Sequence, residues 1–242
     1  MAKKKAKKKG KGKRRTGPYV PPVVTRVKFP SKRLGEMFGR IVGVLGNDRM
    51  EVFCEDGKHR MGRIPYIIFG AGKLNELYNI IPKFGKNVLF IIGGNSLKKS
   101  GKWDDITSIL ENKSINFSST SISSEPSPSL VDEATAKFRD KCFDLVVGIG
   151  GGSVIDAGKA ISAMLPKNNS IKNYLEGIGE KSHDGIKVPY IAIPTTSGTG
   201  SEATKNAVIS EVGPDGFKKS LRHDNLIPDV AIIDPQLMIS CP

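Results

Sequence analysis

The spacing of apolar positions changes at about residue 66. Upstream, EMFGRIVGVLGNDRMEVFCEDGKHRMGRIP alternates apolar and polar residues with period two, which predicts three short strands at about 36–45, 49–54 and 58–64. The breaks at Gly46 to Asp48 and Glu55 to Gly57 carry residues that close hairpins, so a twisted three-stranded meander is expected. Downstream, short apolar runs alternate with amphipathic stretches. Strands are predicted at YIIFG (66–70), NVLFIIG (87–93), INFSSTSIS (115–123), FDLVVGIG (143–150) and VPYIAIPT (188–195). Helices are predicted at GKLNELYNIIPKFG (72–85), GKWDDITSILENK (101–113) and LVDEATAKFRDK (130–141), with another beginning directly after GIGGGS (148–153). Alternation of this kind predicts an α/β fold, a mostly parallel sheet covered by helices on both faces.

Two loops at predicted strand ends carry the candidate chemistry. In GIGGGSVIDAGKAI the strand ends in Gly150, Gly151, Gly152 and Ser153, and a helix starts at once, with Val154, Ala157, Ile161, Met164 and Leu165 on one face. Glycines there let backbone N–H groups approach a pyrophosphate, and the helix N-terminus contributes partial positive charge. Ser153 can cap the helix or donate to phosphate. The string departs from G-x-G-x-x-G, and a tight turn without a ligand is the plain alternative. The second loop, IPTTSGTGSEAT (193–204), sets Thr195, Thr196, Ser197, Thr199 and Ser201 between glycines after another buried strand. Open α/β sheets bind ligands along the carboxyl edge of their strands, so two such loops together favour a nucleotide crevice.

Charge adds a separate feature. The chain has 242 residues and a formal net charge of +14, yet residues 1–33 contain 14 of its 38 Lys and Arg and no acidic residue. The remaining 24 basic residues face 24 acidic ones, so the body is neutral. The first fifteen residues cannot bury apolar surface and repel themselves, which predicts a disordered tail over 1–33. Such a tail is either a solvated extension or an arm that neutralises phosphates. The arm would use Lys3, Lys4, Lys5, Lys7, Lys8, Lys9, Lys11, Lys13, Arg14 and Arg15, joined by Arg40 and Arg60 from the meander. Three cysteines without metal-ligand spacing fit an intracellular chain with reduced thiols. No run approaches the roughly 20 apolar residues of a membrane span, and a cytoplasmic location is expected.

Two resemblances follow from these strings. LGEMFGRIVGVLGNDRMEVFCEDGKHRMGRIP, with the basic tail before it, resembles archaeal and eukaryotic translation initiation factor 1A, a ribosome-binding OB-fold. The resemblance covers residues 1 to about 65 and implies an incomplete OB-fold over 34–65, since such a barrel needs five strands. From about Tyr66 to Pro242, the strings IIFGAGKL, SLKKSG, EPSPSLVDEA, DLVVGIGGGSVIDAGKAI, YLEG, VPYIAIPTTSGTGSEAT and PDVAIIDPQL resemble the iron-containing (group III) alcohol dehydrogenases. This second resemblance implies a Rossmann-like, dehydroquinate synthase-like N-terminal domain over 66–242 that binds a nicotinamide dinucleotide. It places the pyrophosphate at Gly150–Ser153 with Asp156 beside it, and the nicotinamide near Thr195, Thr196 and Thr199, with Ser201 and Thr204 as further members.

The same family holds Fe²⁺ or Zn²⁺ through one Asp and three His in a helical domain that follows DP-x-L, and the chain stops at DPQLMISCP. The three histidines, His59, His183 and His223, lack ligand spacing and are expected at the surface, so no metal ligand and no catalytic residue is assigned. RMGRIPYIIFGAGKL therefore reads as a seam between two partial proteins. A small alcohol or aldehyde is expected as substrate only if a helical domain completes the crevice; a homo-oligomer is allowed. Where NAD-preferring members carry Asp after the second strand, this chain has Gly94, followed by Asn95, Ser96, Lys98 and Lys99. This implies NADP(H) in preference to NAD(H).

The charge distribution yields a first prediction: RNA binding by this chain is weak, non-specific and carried by the tail. The logarithmic salt slope for single strands is about −0.7 per phosphate neutralised. Deleting residues 2–15 is expected to flatten that slope by several units in a filter-retention assay, and an unchanged slope would exclude the tail as the contact.

Overall fold

The computed structural model describes the backbone of residues 39–46, 49–54, 59–63, 65–214 and 216–239, with side chains from Pro65 onward. The tail lysines and arginines of residues 1–15 and the two meander turns lie outside the described residues. Three strands, β1 (Gly39–Gly46), β2 (Arg49–Cys54) and β3 (His59–Arg63), form an antiparallel sheet in the order β1-β2-β3. Arg40 pairs with Phe53 and Arg60 with Val52, on successive rungs of this ladder.

The remainder forms a six-stranded sheet. Its strands are β4 (Tyr66–Phe69), β5 (Asn87–Gly93), β6 (Asn116–Ile122), β7 (Leu145–Gly150), β8 (Tyr190–Pro194) and a later strand, β11 (Val230–Ile233). Their order is β4-β11-β8-β7-β5-β6, and all five pairings are parallel. The chain runs outward from β5 to β6, then returns to the other side of β5 with β7 and continues the opposite way. The carboxyl ends of β5 and β7 therefore flank the point where strand order reverses, the place where open α/β sheets bind ligands.

The inner strands β5, β7 and β8 are buried on both faces, as parallel sheets require. Alternate residues of β5 go to opposite cores. Leu89 and Ile91 pack with Val131, Phe138, Ile155 and Ile161 of the helices on one side. Val88, Phe90 and Ile92 pack with Leu77, Ile81, Trp103 and Ile106 on the other. The covering helices are α1 (Leu77–Phe84), a short α2 (Ser96–Lys99), α3 (Lys102–Asn112), α4 (Pro128–Phe138) and α5 (Gly152–Met164). Ser127 caps α4 by accepting from the Leu130 N–H at 3.2 Å, with Pro128 in the first turn. β4 is an edge strand with Tyr66, Ile67 and Phe69 exposed. Among the described residues no helix is long and apolar enough to cross a membrane.

Three features depart from the pattern read along the chain. The first is α5, expected to bury one face but buried at every residue from Val154 to Met164. A hairpin that was not predicted covers its second side: β9 (Asn206–Glu211) and β10 (Phe217–Arg222) pair antiparallel, and Ala207, Ile209 and Leu221 join the α5 core. Lys218, Lys219 and Arg222 are exposed and leave Phe217 and Leu221 as the only apolar residues of β10, which hid the strand. The second is β11, only four residues long and bounded by Pro228 and Pro235.

The third is His183, expected at the surface and found buried. Its loop folds back beneath the end of α5, where Nδ1 accepts from the Gly185 N–H at 2.9 Å and Nε2 faces the Ala163 carbonyl at 3.2 Å. Burial holds its pKa below the usual value for histidine. His223 is partly buried and accepts from the Asn225 N–H at 3.1 Å, closing a short turn.

The contact between α5 and the sheet is unusually intimate. Tyr190 of β8 is fully buried and donates its hydroxyl to the Ile155 carbonyl at 2.9 Å. A Cβ on Gly148 of β7, or on Gly158 of α5, would collide with that ring and hydroxyl. Gly148→Ala is expected to cost about 1–3 kcal/mol through overpacking, and Tyr190→Phe about 1 kcal/mol through the lost hydrogen bond. The double variant is expected to be more stable than the sum of the two costs implies, because the phenylalanine removes the atom that the new methyl meets. Urea unfolding of the three variants measures this coupling, and strict additivity would remove the proposed contact.

Candidate functional site

The turn from β7 into α5 is built by backbone. Gly150 ends the strand, Gly151 is the N-cap, and no side chain caps the helix. Ser153 therefore stands inside the first turn and does not act as the cap. The N–H groups of that turn are those an α-helix leaves without internal partners, and the helix dipole adds positive potential there. Space is tight around the turn: a Cβ on Gly150 would overlap Val154, and one on Gly152 would come within 2.9 Å of Thr199.

The second loop lies against the first. Its entrance is fixed by Thr195, whose N–H donates to the Gly150 carbonyl at 2.8 Å. Thr195 and Thr196 line a cleft of about 250 Å³ with Gly93, Ser96, Gly150 and Gly151, which Lys102 and Gln236 border. Thr199 and Ser201 line a neighbouring cavity of about 210 Å³ with Gly152, Ser153 and Asp156. The structure thus brings together Ser96, Gly150, Gly151, Gly152, Ser153, Asp156, Thr195, Thr196, Thr199 and Ser201 along the two clefts. Gly94 is partly buried at the end of β5, with open space around it, and Asn95 is exposed before α2. Ser197 is exposed, and Thr204 takes part in the packing beneath the loop. A larger cavity of about 420 Å³ adjoins the first cleft through Lys102, Gln236 and Leu237, but α1 and α3 supply much of its wall and the glycine turn does not reach it.

Two charged residues lie under the site. Asp156 is buried, and its Oδ1 has no hydrogen-bond partner among the described residues. Burial raises its pKa, against the pull of Lys159. Lys159, one turn further along α5, is fully buried and was missed in the sequence, where GKAI reads as an ordinary amphipathic segment. Its ammonium donates to the carbonyls of Ser201 at 2.7 Å, Thr204 at 2.8 Å and Asn206 at 2.9 Å. Asp234 was also missed as a site-shaping residue. At the end of β11 its carboxylate accepts from the N–H groups of Gly72 at 3.1 Å and Leu74 at 3.0 Å, fastening the FGAG turn that follows β4.

These features define a dinucleotide-type cradle. A glycine turn at a helix N-terminus lies at the switch point of a parallel sheet, with a hydroxyl-rich loop tied beside it. Residues 65–235 match the family model described as iron-containing alcohol dehydrogenase. The chain belongs to that family. It is 37% identical over 174 residues to long-chain-alcohol dehydrogenase 1 of Geobacillus thermodenitrificans, covering 72% of this chain and 43% of that protein. The crystal structure of NADH-dependent butanol dehydrogenase A from Thermotoga maritima superposes with a TM-score of 0.67 at 31% identity, covering 74% of this chain and 44% of that one. Sulfoacetaldehyde reductase from Bifidobacterium kashiwanohense, solved in complex with NAD+, gives a TM-score of 0.65 at 29% identity over 74% of this chain and 46% of that one. The chain spans less than half the length of the relatives it matches. Residues 1–64 lie outside the family match.

The family name implies a metal. Among the described residues no three His, Cys, Asp or Glu side chains gather into a group that could hold one, and no chemical step through a metal is derived from them. The dinucleotide fits better, because the glycine turn sets the free N–H groups of the first turn of α5 beside the two clefts with no side chain capping them. Gly152→Ala is expected to displace Thr199 and weaken dinucleotide binding about tenfold, equivalent to about 1.4 kcal/mol, with little change in the urea midpoint. Unchanged affinity would show that the Gly152–Thr199 contact does not shape the site.

Proposed function

We propose that residues 66–239 are the cofactor-receiving half of an NAD(P)(H)-dependent alcohol dehydrogenase, which moves hydride between an alcohol or aldehyde and the nicotinamide. The observation that carries this reading is the Thr195-to-Gly150 tie, which joins the hydroxyl loop to the glycine turn at the strand-order reversal. The backbone N–H groups of Gly151 to Ser153 would hold the pyrophosphate against the N-terminus of α5. Asp156 would lie beside the pyrophosphate, and Thr195, Thr196 and Thr199 would orient the nicotinamide side, with Ser201 as a further member. The bound dinucleotide supplies the hydride chemistry; the protein supplies binding and orientation. Alcohol turnover requires a further domain that closes the crevice and brings the Fe²⁺ or Zn²⁺ of the family. RNA binding by the basic tail is a separate proposal and rests on charge alone.

Within this reading the dinucleotide is NADP(H), although the Thermotoga relative is named for NADH. An acidic residue after the second strand would accept from the ribose 2′-hydroxyl and repel a 2′-phosphate. Gly94 removes the repulsion. Ser96, Ser100 and Lys102 line the adjoining cleft, while Lys98 and Lys99 lie exposed on α2. Fluorescence titration of the full chain is expected to show NADPH binding about tenfold tighter than NADH. Because nothing lies within 4 Å of a Cβ on Gly94, Gly94→Asp is expected to fold normally and reverse the order. Equal or tighter binding of NADH by the unaltered chain would overturn the preference, and no binding of either would overturn the whole reading.

A further inference from the structure

Lys159 presents a cost that packing does not explain. Burying an ammonium is expensive unless acceptors and counter-charge surround it, and an apolar side chain of similar length would fill the same space. Here the ammonium divides three protons among four oxygens. They are Ser201 O at 2.7 Å, Thr204 O at 2.8 Å, Asn206 O at 2.9 Å and Thr204 Oγ1 at 3.2 Å. All four belong to the descending limb of the hydroxyl loop, from the short 3-10 turn Ser201–Ala203 to the start of β9. The ascending limb is already fixed by the Thr195 N–H to the Gly150 carbonyl. Between these two ties, Ser197, Gly198 and Thr199 are exposed.

We infer that Lys159 is a positioning residue: its buried ammonium fastens the descending limb of the loop to α5, holding Thr199 and Ser201 opposite the glycine turn before any cofactor arrives. The inference rests on the reading of this loop as the cofactor side of the crevice. Lys159 itself lines neither of the clefts where the cofactor would lie; it reaches them only through Ser201.

The surroundings make the clamp sensitive to alkali. Asp156 on the same helix and Glu202 on the loop favour the charged form, and Lys187 before β8 opposes it. Lys218 of β10 acts on Asp156. Burial dominates and lowers the pKa of Lys159 to about 8. As pH rises through that value the ammonium loses a proton and the hold on the carbonyls weakens. Global stability moves the other way for this group. Its pKa is lower in the folded chain than in the unfolded one, so between about 8 and the ordinary lysine value the unfolded chain binds more protons. The contribution of Lys159 to folding stability therefore rises with pH over that window. A local loosening without global loss marks a clamp, as distinct from alkaline unfolding.

The test is hydrogen exchange of the full chain without cofactor, read by mass spectrometry at pH 7 and pH 9 and corrected for the intrinsic exchange rate. Protection of peptides covering 196–206 is expected to fall about tenfold or more between the two, on the scale of hydrogen bonds to a charged group. Protection over 145–150 is expected to hold. Lys159→Met is expected to lower loop protection at pH 7 and abolish the pH dependence. Should that variant fail to fold, the unaltered chain still decides the matter through its own two pH values. Equal loop protection at pH 7 and pH 9, or a folded Lys159→Met variant with a protected loop, would overturn the inference. Since no cofactor is present, a failure of dinucleotide binding falls on the functional reading and leaves this measurement interpretable.

Discussion

The site depends on how closely one helix can approach one strand. Gly148 and Gly158 present no side chains where β7 and α5 meet, and the Tyr190 ring occupies the space, with its hydroxyl on the Ile155 carbonyl. That contact brings the start of α5 directly onto the end of β7, so Gly151 can serve as the N-cap within a single residue of the strand. A bulkier residue at either glycine would push the helix away and lengthen the turn. The N-terminal end of the helix would then leave the reversal point between β5 and β7, where the strand order leaves a crevice.

The second loop is held by main-chain and buried-charge contacts, with Thr204 Oγ1 as the one hydroxyl that Lys159 engages. Thr195 ties the ascending limb and Lys159 the descending one. Such a division suits a loop that must present side chains to a ligand: apart from the Thr204 hydroxyl, the groups that fix it are main-chain ones. The hairpin of β9 and β10 seals the far side of α5, keeping Asp156 and Lys159 in a setting where each affects the other's protonation. Asp234 performs a related task at the other end of the sheet, capping the FGAG turn after β4.

Membership of the iron-containing alcohol dehydrogenase family places this domain beside oxidoreductases of alcohols and aldehydes, and the described residues correspond to less than half of such a relative. What they contribute is the sheet whose carboxyl edge carries the glycine turn and the hydroxyl loop. Both loops and the helix terminus come from the stretch 93–206, while Gln236 and Lys218 add to the walls of the two clefts from beyond it.

Much of this was legible along the chain. The alternation of apolar runs with amphipathic stretches determined a parallel α/β sheet, because a strand buried on both faces must be apolar throughout and its connections must be helical. GIGGGS and TTSGTGSEAT marked the two loops, since only glycines and short hydroxyl residues suit a backbone that meets a ligand. Tertiary structure decided what local pattern could not. The Lys-rich hairpin and the four-residue β11 are stabilised by α5 and by neighbouring strands, so their own composition carried little signal. His183 was buried by a loop folding under α5, an event without local signature. Lys159 looked like any helical lysine, and only the arrival of three carbonyls from residues 201–206 made its charge a structural element. Periodicity records which side of an element meets a core; it does not record which distant backbone will supply the partners of a buried polar group.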